Sequence, residues 1–125
     1  LRPALEVFGD DYPTPDGSCI RDFIHVTDLA RAHLAALDHL EGGGESLTLN
    51  CGYGRGVSVL EVAEAVRRAS NRPLPVNIGP RRPGDLMTAV SDPSRLKSRL
   101  GWAPRHDSLD EIVSSALRWE ASRAK

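Results

Sequence analysis

A chain of 125 residues, 40% hydrophobic and 26% charged, is long enough for one modest core and is not composed like a disordered chain. Its formal net charge of -1 gives no general attraction to nucleic acid or to an acidic membrane surface, so any anion site must be local. No apolar run approaches the roughly 18–20 residues of a membrane span. The two cysteines, Cys19 and Cys51, lack CxxC spacing and read as free thiols of a cytoplasmic protein.

The chain opens at Leu1-Arg2-Pro3 without an initiator Met, as a piece of a longer polypeptide would. Leu5 to Phe8 is an apolar run closed by Gly9-Asp10-Asp11, which predicts a strand and a turn. Tyr12 to Ser18 is dense in turn formers and predicts a surface loop, followed by a second extended run from Cys19 to Val26. Thr27 stands where it can cap a helix, with Asp28 near the positive end. Leu29, Ala32, Ala36, Leu37 and Leu40 then recur at helical spacing until Gly42-Gly43-Gly44. Ser46 to Cys51 alternates toward a strand, and Gly52-Tyr53-Gly54-Arg55-Gly56 makes a tight connection.

Ser58-Val59-Leu60-Glu61 is a capping box, opening a helix with Val62, Ala63, Val66 and Ala69 on one face. Pro75 to Gly79 predicts a brief strand, and Pro80 to Asp85 a loop stiffened by two prolines. Asp92-Pro93 opens a short helix stopped by Gly101. A second capping box, Ser108 to Glu111, starts a last helix with Leu109, Ile112, Val113, Ala116 and Leu117 inward. Short strands alternating with about four helices predict an α/β fold in one unit, without internal repeat or linker.

The Gly-rich turn resembles a dinucleotide motif but fails its spacing. Counting GxGxxG from Gly52 puts Val57 at the third glycine, and counting from Gly54 puts Val59 there. The next strand also ends without the acidic residue that binds a ribose. It reads as a tight turn whose helix start still suits an anion, in a cofactor or a partner domain. The histidines His25, His33, His39 and His106 show neither HxxxH nor His-Cys spacing, so no metal site is expected, and His25 and His33 read as packed. A GxSxG elbow is absent.

Two arginine-bearing segments carry the chemistry: Arg21-Asp22-Phe23-Ile24-His25-Val26 and Arg81-Arg82-Pro83-Gly84-Asp85. Guanidinium groups present planar, paired donors that match phosphate oxygens, so two from separate segments suit the two sides of a diphosphate. Asp85, three residues after Arg82 across a Pro-Gly turn, is placed to accept hydrogen bonds from ribose hydroxyls. An arginine beside an aspartate is equally the pattern of a surface ion pair.

Phe8-Gly9-Asp10-Asp11-Tyr12-Pro13-Thr14-Pro15-Asp16-Gly17, followed by Ile20-Arg21-Asp22-Phe23-Ile24-His25-Val26-Thr27-Asp28-Leu29, resembles the C-terminal region of the UDP-glucose 4-epimerases. Asn50-Cys51-Gly52, Ser58 to Val62, the Arg81 to Asp85 run, Leu100-Gly101-Trp102 and the last helix extend the resemblance over essentially the whole chain. The Arg-Asp-Phe signature is shared across extended short-chain dehydrogenase/reductase enzymes that act on nucleotide sugars. The loop from Asp10 to Gly17 and the Arg-Arg-Pro-Gly-Asp run separate the epimerases from nucleotide-sugar 4,6-dehydratases and decarboxylases.

The resemblance implies that residues 1–125 are the small C-terminal substrate-binding domain of such an enzyme. It implies that Arg21 and Arg82 hold the diphosphate of a UDP-hexose, Asp85 its ribose, and that Phe8 lies against the uracil. Phe23 stands where the family usually has Tyr, so a hydroxyl is missing there. Ala89 falls at a position lining the sugar pocket, and its small side chain implies room for N-acetylated hexoses; as plain chemistry it is also a small packing residue.

NAD would be bound by an N-terminal Rossmann domain of the same polypeptide, absent from this chain, and the intact enzyme would be a homodimer. The Tyr-x-x-x-Lys base of the family is absent too. Tyr12 and Tyr53 are followed four residues on by Asp16 and Val57, and the only lysines are Lys97 and Lys125. The isolated chain is therefore expected to be inactive, a binding module without catalytic residues.

Overall fold

The computed structural model describes residues 4–123. In chain order it contains β1 (Leu5–Phe8), β2 (Ile20–Arg21), α1 (Val26–Glu41), β3 (Val57–Ser58), α2 (Val59–Ser70), β4 (Val76–Gly79), β5 (Thr88–Ala89), α3 (Ser94–Leu100) and α4 (Leu109–Arg123). This is the α/β alternation expected of a small domain. β1 pairs with β4 in parallel, Phe8 opposite Gly79. β2 lies between β3, antiparallel, and β5, parallel, so that Arg21 is flanked by Val57 and Ala89.

Ala32, Tyr53, Leu96 and Trp102 form a buried cluster, with Ile24, Leu49, Cys51, Leu100 and Ile112 packed against it. A charge stands beside this apolar group. Asp28 is 0% exposed and accepts from the Tyr53 hydroxyl (2.8 Å), the His106 amide (2.9 Å), the Arg105 amide (3.1 Å to each oxygen) and Arg31 (3.0 Å). The Trp102 indole N–H donates to the Asp28 carbonyl at 3.0 Å. A buried carboxylate is tolerable only when its lone pairs are filled, and these are.

Several expectations are corrected. His25, not Thr27, caps α1: its Nδ1 accepts the Thr27 N–H at 3.1 Å. Asp28 stands in the first turn as expected, with its side chain buried in the core. On α1, Ala32 is buried but His33, Leu37 and Leu40 are exposed, because only one flank of the helix is covered by α3. On α2 the buried residues are Ala63 and Ala65, whereas Ala69 is exposed, and on α4 Val113 is buried while Ala116 is exposed.

The first capping box forms in full. The second is half formed: the Ser108 hydroxyl accepts the Glu111 amide at 3.4 Å, but the Glu111 carboxylate turns to His106 instead. The run from Cys19 to Val26 shrinks to the two residues of β2. Ser46 to Cys51 keeps its alternation, with Leu47, Leu49 and Cys51 half-buried, yet forms no strand. A strand is a paired object, and no ladder partner stands beside it among the described residues.

Candidate functional site

Because β1 and β4 run in parallel, their C-terminal ends, Phe8 and Gly79, open side by side. The loop that follows Gly79 folds back over Phe8, helped by Gly84 at φ 85°, and the Asp85 amide donates to the Arg82 carbonyl at 3.2 Å. The Arg82 guanidinium thereby sits 4.9 Å from the centroid of the Phe8 ring. It also forks onto Asp85: Nε lies 3.2 and 3.1 Å from the two carboxylate oxygens, and Nη2 lies 2.9 Å from Oδ1. Asp85 holds Arg82 still more firmly in its charged form, by hydrogen bond first and by charge second.

Phe8, Arg21, Arg82 and Asp85 line one cleft of about 210 Å³, together with Cys19 and Val59. Arg21 enters it from β2, its Nη1 donating to the Ile20 carbonyl at 2.8 Å. Two arginines, one aromatic ring and two acidic residues, Asp85 and Glu6, thus line a single concavity. Arg82 and Asp85 satisfy one another, whereas the Arg21 guanidinium bonds only to the Ile20 carbonyl among the described residues. A planar base laid on the face of Phe8 that Arg82 covers would lift Arg82 off the ring, and anionic oxygens would then offer that guanidinium a replacement for Asp85.

The neighbouring arginine does something else. Arg81 turns away from the cleft, donates to Asp11 Oδ1 at 2.7 Å and to the Asp11 carbonyl at 2.6 Å, and lies 4.2 Å from the centroid of Tyr12. It pins the Asp10 to Gly17 loop beside the site. Within that loop Gly17 has φ 84°, and a Cβ there would meet the Asp10 carbonyl oxygen at 1.7 Å, so only glycine fits.

Phe23 and Ala89 are not in the lining of the cleft. Ala89 is half-buried and sits beside Arg21 as its register partner on β5. Phe23 is half-buried just beyond β2. A residue that sequence reasoning passed over, Asp22, lies behind the strand. Its Oδ1 accepts the Tyr53 amide at 3.0 Å, and its Oδ2 accepts the Gly54 amide at 2.9 Å and the Ser91 hydroxyl at 2.9 Å. Two amides of the Gly-rich turn, those of Tyr53 and Gly54, are therefore occupied from within and are not offered to the pyrophosphate of a dinucleotide. No local signal pointed to this, since Asp22 and Tyr53 are 31 residues apart.

His25, His106 and Glu111 bring possible ligand atoms within 4.8 Å of one another. His25 Nδ1 is occupied by the Thr27 amide, while Nε2 faces the Ser115 hydroxyl at 2.9 Å, and that hydroxyl itself donates to the Ile112 carbonyl. The ring proton of neutral His25 accordingly sits on Nε2, and His25 has no free lone pair for an ion. The same tautomer prevents His25 from acting as a base toward Ser115. His106 stacks on His25, centroids 4.6 Å apart, and meets Glu111 at 2.6 Å.

Residues 2–52 match the NAD dependent epimerase/dehydratase family. The chain is 55% identical over 121 residues to the UDP-glucose 4-epimerase of Azospirillum brasilense, covering 97% of this chain and 35% of that protein. The UDP-glucose 4-epimerase from Bifidobacterium longum, crystallised with NAD+ and UDP, superposes with a TM-score of 0.90 at 41% identity, over 98% of this chain and 36% of that one. The UDP-Glc/GlcNAc 4-epimerase from Campylobacter jejuni superposes with a TM-score of 0.86 at 49% identity, over 97% and 36% respectively. The chain spans about 35% of the length of the curated relatives it matches. The resemblance seen in the motifs is one of sequence and of fold along nearly the whole chain.

Proposed function

We propose, from that similarity, that residues 1–125 are the C-terminal substrate-binding portion of a UDP-hexose 4-epimerase whose NAD-binding domain lies elsewhere in the polypeptide. The observation that carries the reading is the convergence of Phe8, Arg21, Arg82 and Asp85, drawn from β1, β2 and the 80–85 loop, on one cleft. In this reading the uracil replaces Arg82 on the face of Phe8, Arg21 and Arg82 grip the diphosphate, and Asp85, released from Arg82, accepts from the ribose hydroxyls. Ala89, beside Arg21, leaves space at the sugar, and Phe23 packs without a hydroxyl to offer.

NAD, held outside this chain, supplies hydride removal and return at the sugar C4. The residues here bind and orient the substrate for that step, which is where binding energy from the non-reacting UDP is useful. The assembled enzyme in this reading is a cytoplasmic homodimer. Calorimetric titration of UDP into the chain, with Arg82→Ala alongside, tests the site. Loss of one charge-assisted contact should weaken binding about 5- to 150-fold. Equal binding by Arg82→Ala and the parent, both folded by circular dichroism, overturns it.

A further inference from the structure

We propose that Asp22 is the positioning residue of the diphosphate grip, holding Arg21 in register from the opposite side of the strand; this rests on the reading of the cleft as a UDP site. The geometry is that of a clamp on three separate stretches of chain. One carboxylate, at the end of β2, accepts the amides of Tyr53 and Gly54 from the turn before β3. It also accepts the Ser91 amide (3.3 Å) and hydroxyl (2.9 Å), two residues beyond β5. β3 and β5 are the two neighbours of β2.

The strands themselves are too short to fix this arrangement. β2, β3 and β5 contribute two residues each, so the ladders hold Arg21 with few bonds, and two-residue pairings are weak alone. Asp22 adds four donor contacts from both flanking segments immediately next to Arg21. The fit is close: a Cβ on Gly52 would lie 2.0 Å from Ser91 Oγ and 2.5 Å from Asp22 Oδ2, so the turn has a glycine where the carboxylate and Ser91 press against it. Both oxygens are engaged by donors, so the isosteric amide must set an NH2 against at least one N–H or force it to lose its acceptor. The amides that suit an anion ligand are thus used to seat an internal anion, and the strand so seated presents Arg21 to the external one.

A positioning role acts on the phosphate contact and leaves the base contact alone. Asp22→Asn should therefore weaken UDP about fivefold or more, within the coupling found for residues in one network. It should leave the affinity for uridine, which lacks the diphosphate, unchanged. In an Arg21→Ala background the same substitution should have no further effect on UDP. Ser91→Ala, which removes one donor and keeps the backbone, should shift UDP in the same direction by about twofold, and it decides the matter if Asp22→Asn does not fold. Equal weakening of UDP and uridine, or full additivity with Arg21→Ala, overturns the proposal and assigns Asp22 to stability alone. Absence of any effect of Arg21→Ala on UDP instead overturns the assignment of Arg21 to the cleft's ligand.

Discussion

Replacing Tyr53 by Phe removes a single oxygen from the centre of the fold. Tyr53 is 8% exposed; its hydroxyl donates to Asp28 at 2.8 Å and accepts the His25 amide at 3.1 Å. The substitution deprives a buried carboxylate of one donor and leaves a buried N–H unpaired. A hydrogen bond to a charged group contributes about 1.5–3 kcal/mol and an orphaned donor costs about 1–3, and since neighbouring losses are not additive, about 2–4 kcal/mol is expected. At roughly 4 °C per kcal/mol for a chain of this length, the thermal midpoint should fall by about 8–16 °C.

The alkaline limb offers an independent check. Burial above all, with the bond and charge of Asp28 adding and the His25 amide opposing, pushes Tyr53 from 10.0 up to about 12. A raised folded value means that the stability is fully present below pH 10 and lost as pH rises through 12. That separation corresponds to about 3 kcal/mol. Tyr53→Phe should therefore be less stable at pH 7 yet lose less between pH 9 and pH 11.5, although Tyr12, also raised, still titrates. Urea unfolding followed by circular dichroism across this range measures both effects. A variant within about 0.5 kcal/mol of the parent at pH 7, the scale of an ordinary surface change, with a parallel alkaline limb, would refute the reasoning.

The acid limb should be governed in part by Asp28. Burial works to raise its carboxyl, but the bonds from Tyr53, the His106 and Arg105 amides and Arg31 outweigh it and hold the group below 3.8. A depressed folded value means stability present above the unfolded pKa and lost as pH falls through the folded one. The urea midpoint should therefore drop below about pH 4, and Asp28→Asn should be destabilised throughout with a shallower acid limb; an unchanged limb contradicts the assignment. At the sugar end, Ala89→Tyr should leave UDP affinity nearly unchanged and lower the preference for UDP-N-acetylglucosamine over UDP-glucose by about tenfold or more. Competition binding with the two sugars checks this, and an unaltered ratio makes Ala89 a packing residue.

What was legible in the sequence followed local chemistry. β1, the full capping box at Ser58, the Gly101 stop and the 80–85 loop depend on residues close together in the chain, and they stand where those residues put them. Ser46 to Cys51 shows the limit: its alternation is real, but pairing needs a neighbour that the described residues do not provide. β3 and β5, at two residues each, carry no period to read. Side-chain chemistry pointed to the two arginine-bearing segments, but Phe8 and the choice of Arg82 over Arg81 came through the resemblance, since the two arginines look alike in sequence while one staples Asp11 and the other lies on Phe8. Asp22 and Tyr53 escaped notice because their partners lie 25 to 69 residues away.

The central claim is that UDP binds where Phe8, Arg21, Arg82 and Asp85 meet. The most direct measurement is amide chemical-shift mapping of the ¹⁵N-labelled chain during titration with UDP. Saturable shifts centred on Phe8, Gly9, Arg21 and the segment from Arg82 to Asp85 are expected, with Tyr53 and Gly54 responding through Asp22. A folded chain whose amides do not move, or whose shifts gather instead around the separate apolar pocket lined by Leu29, Ala36, Leu40, Leu49 and Leu100, would contradict it.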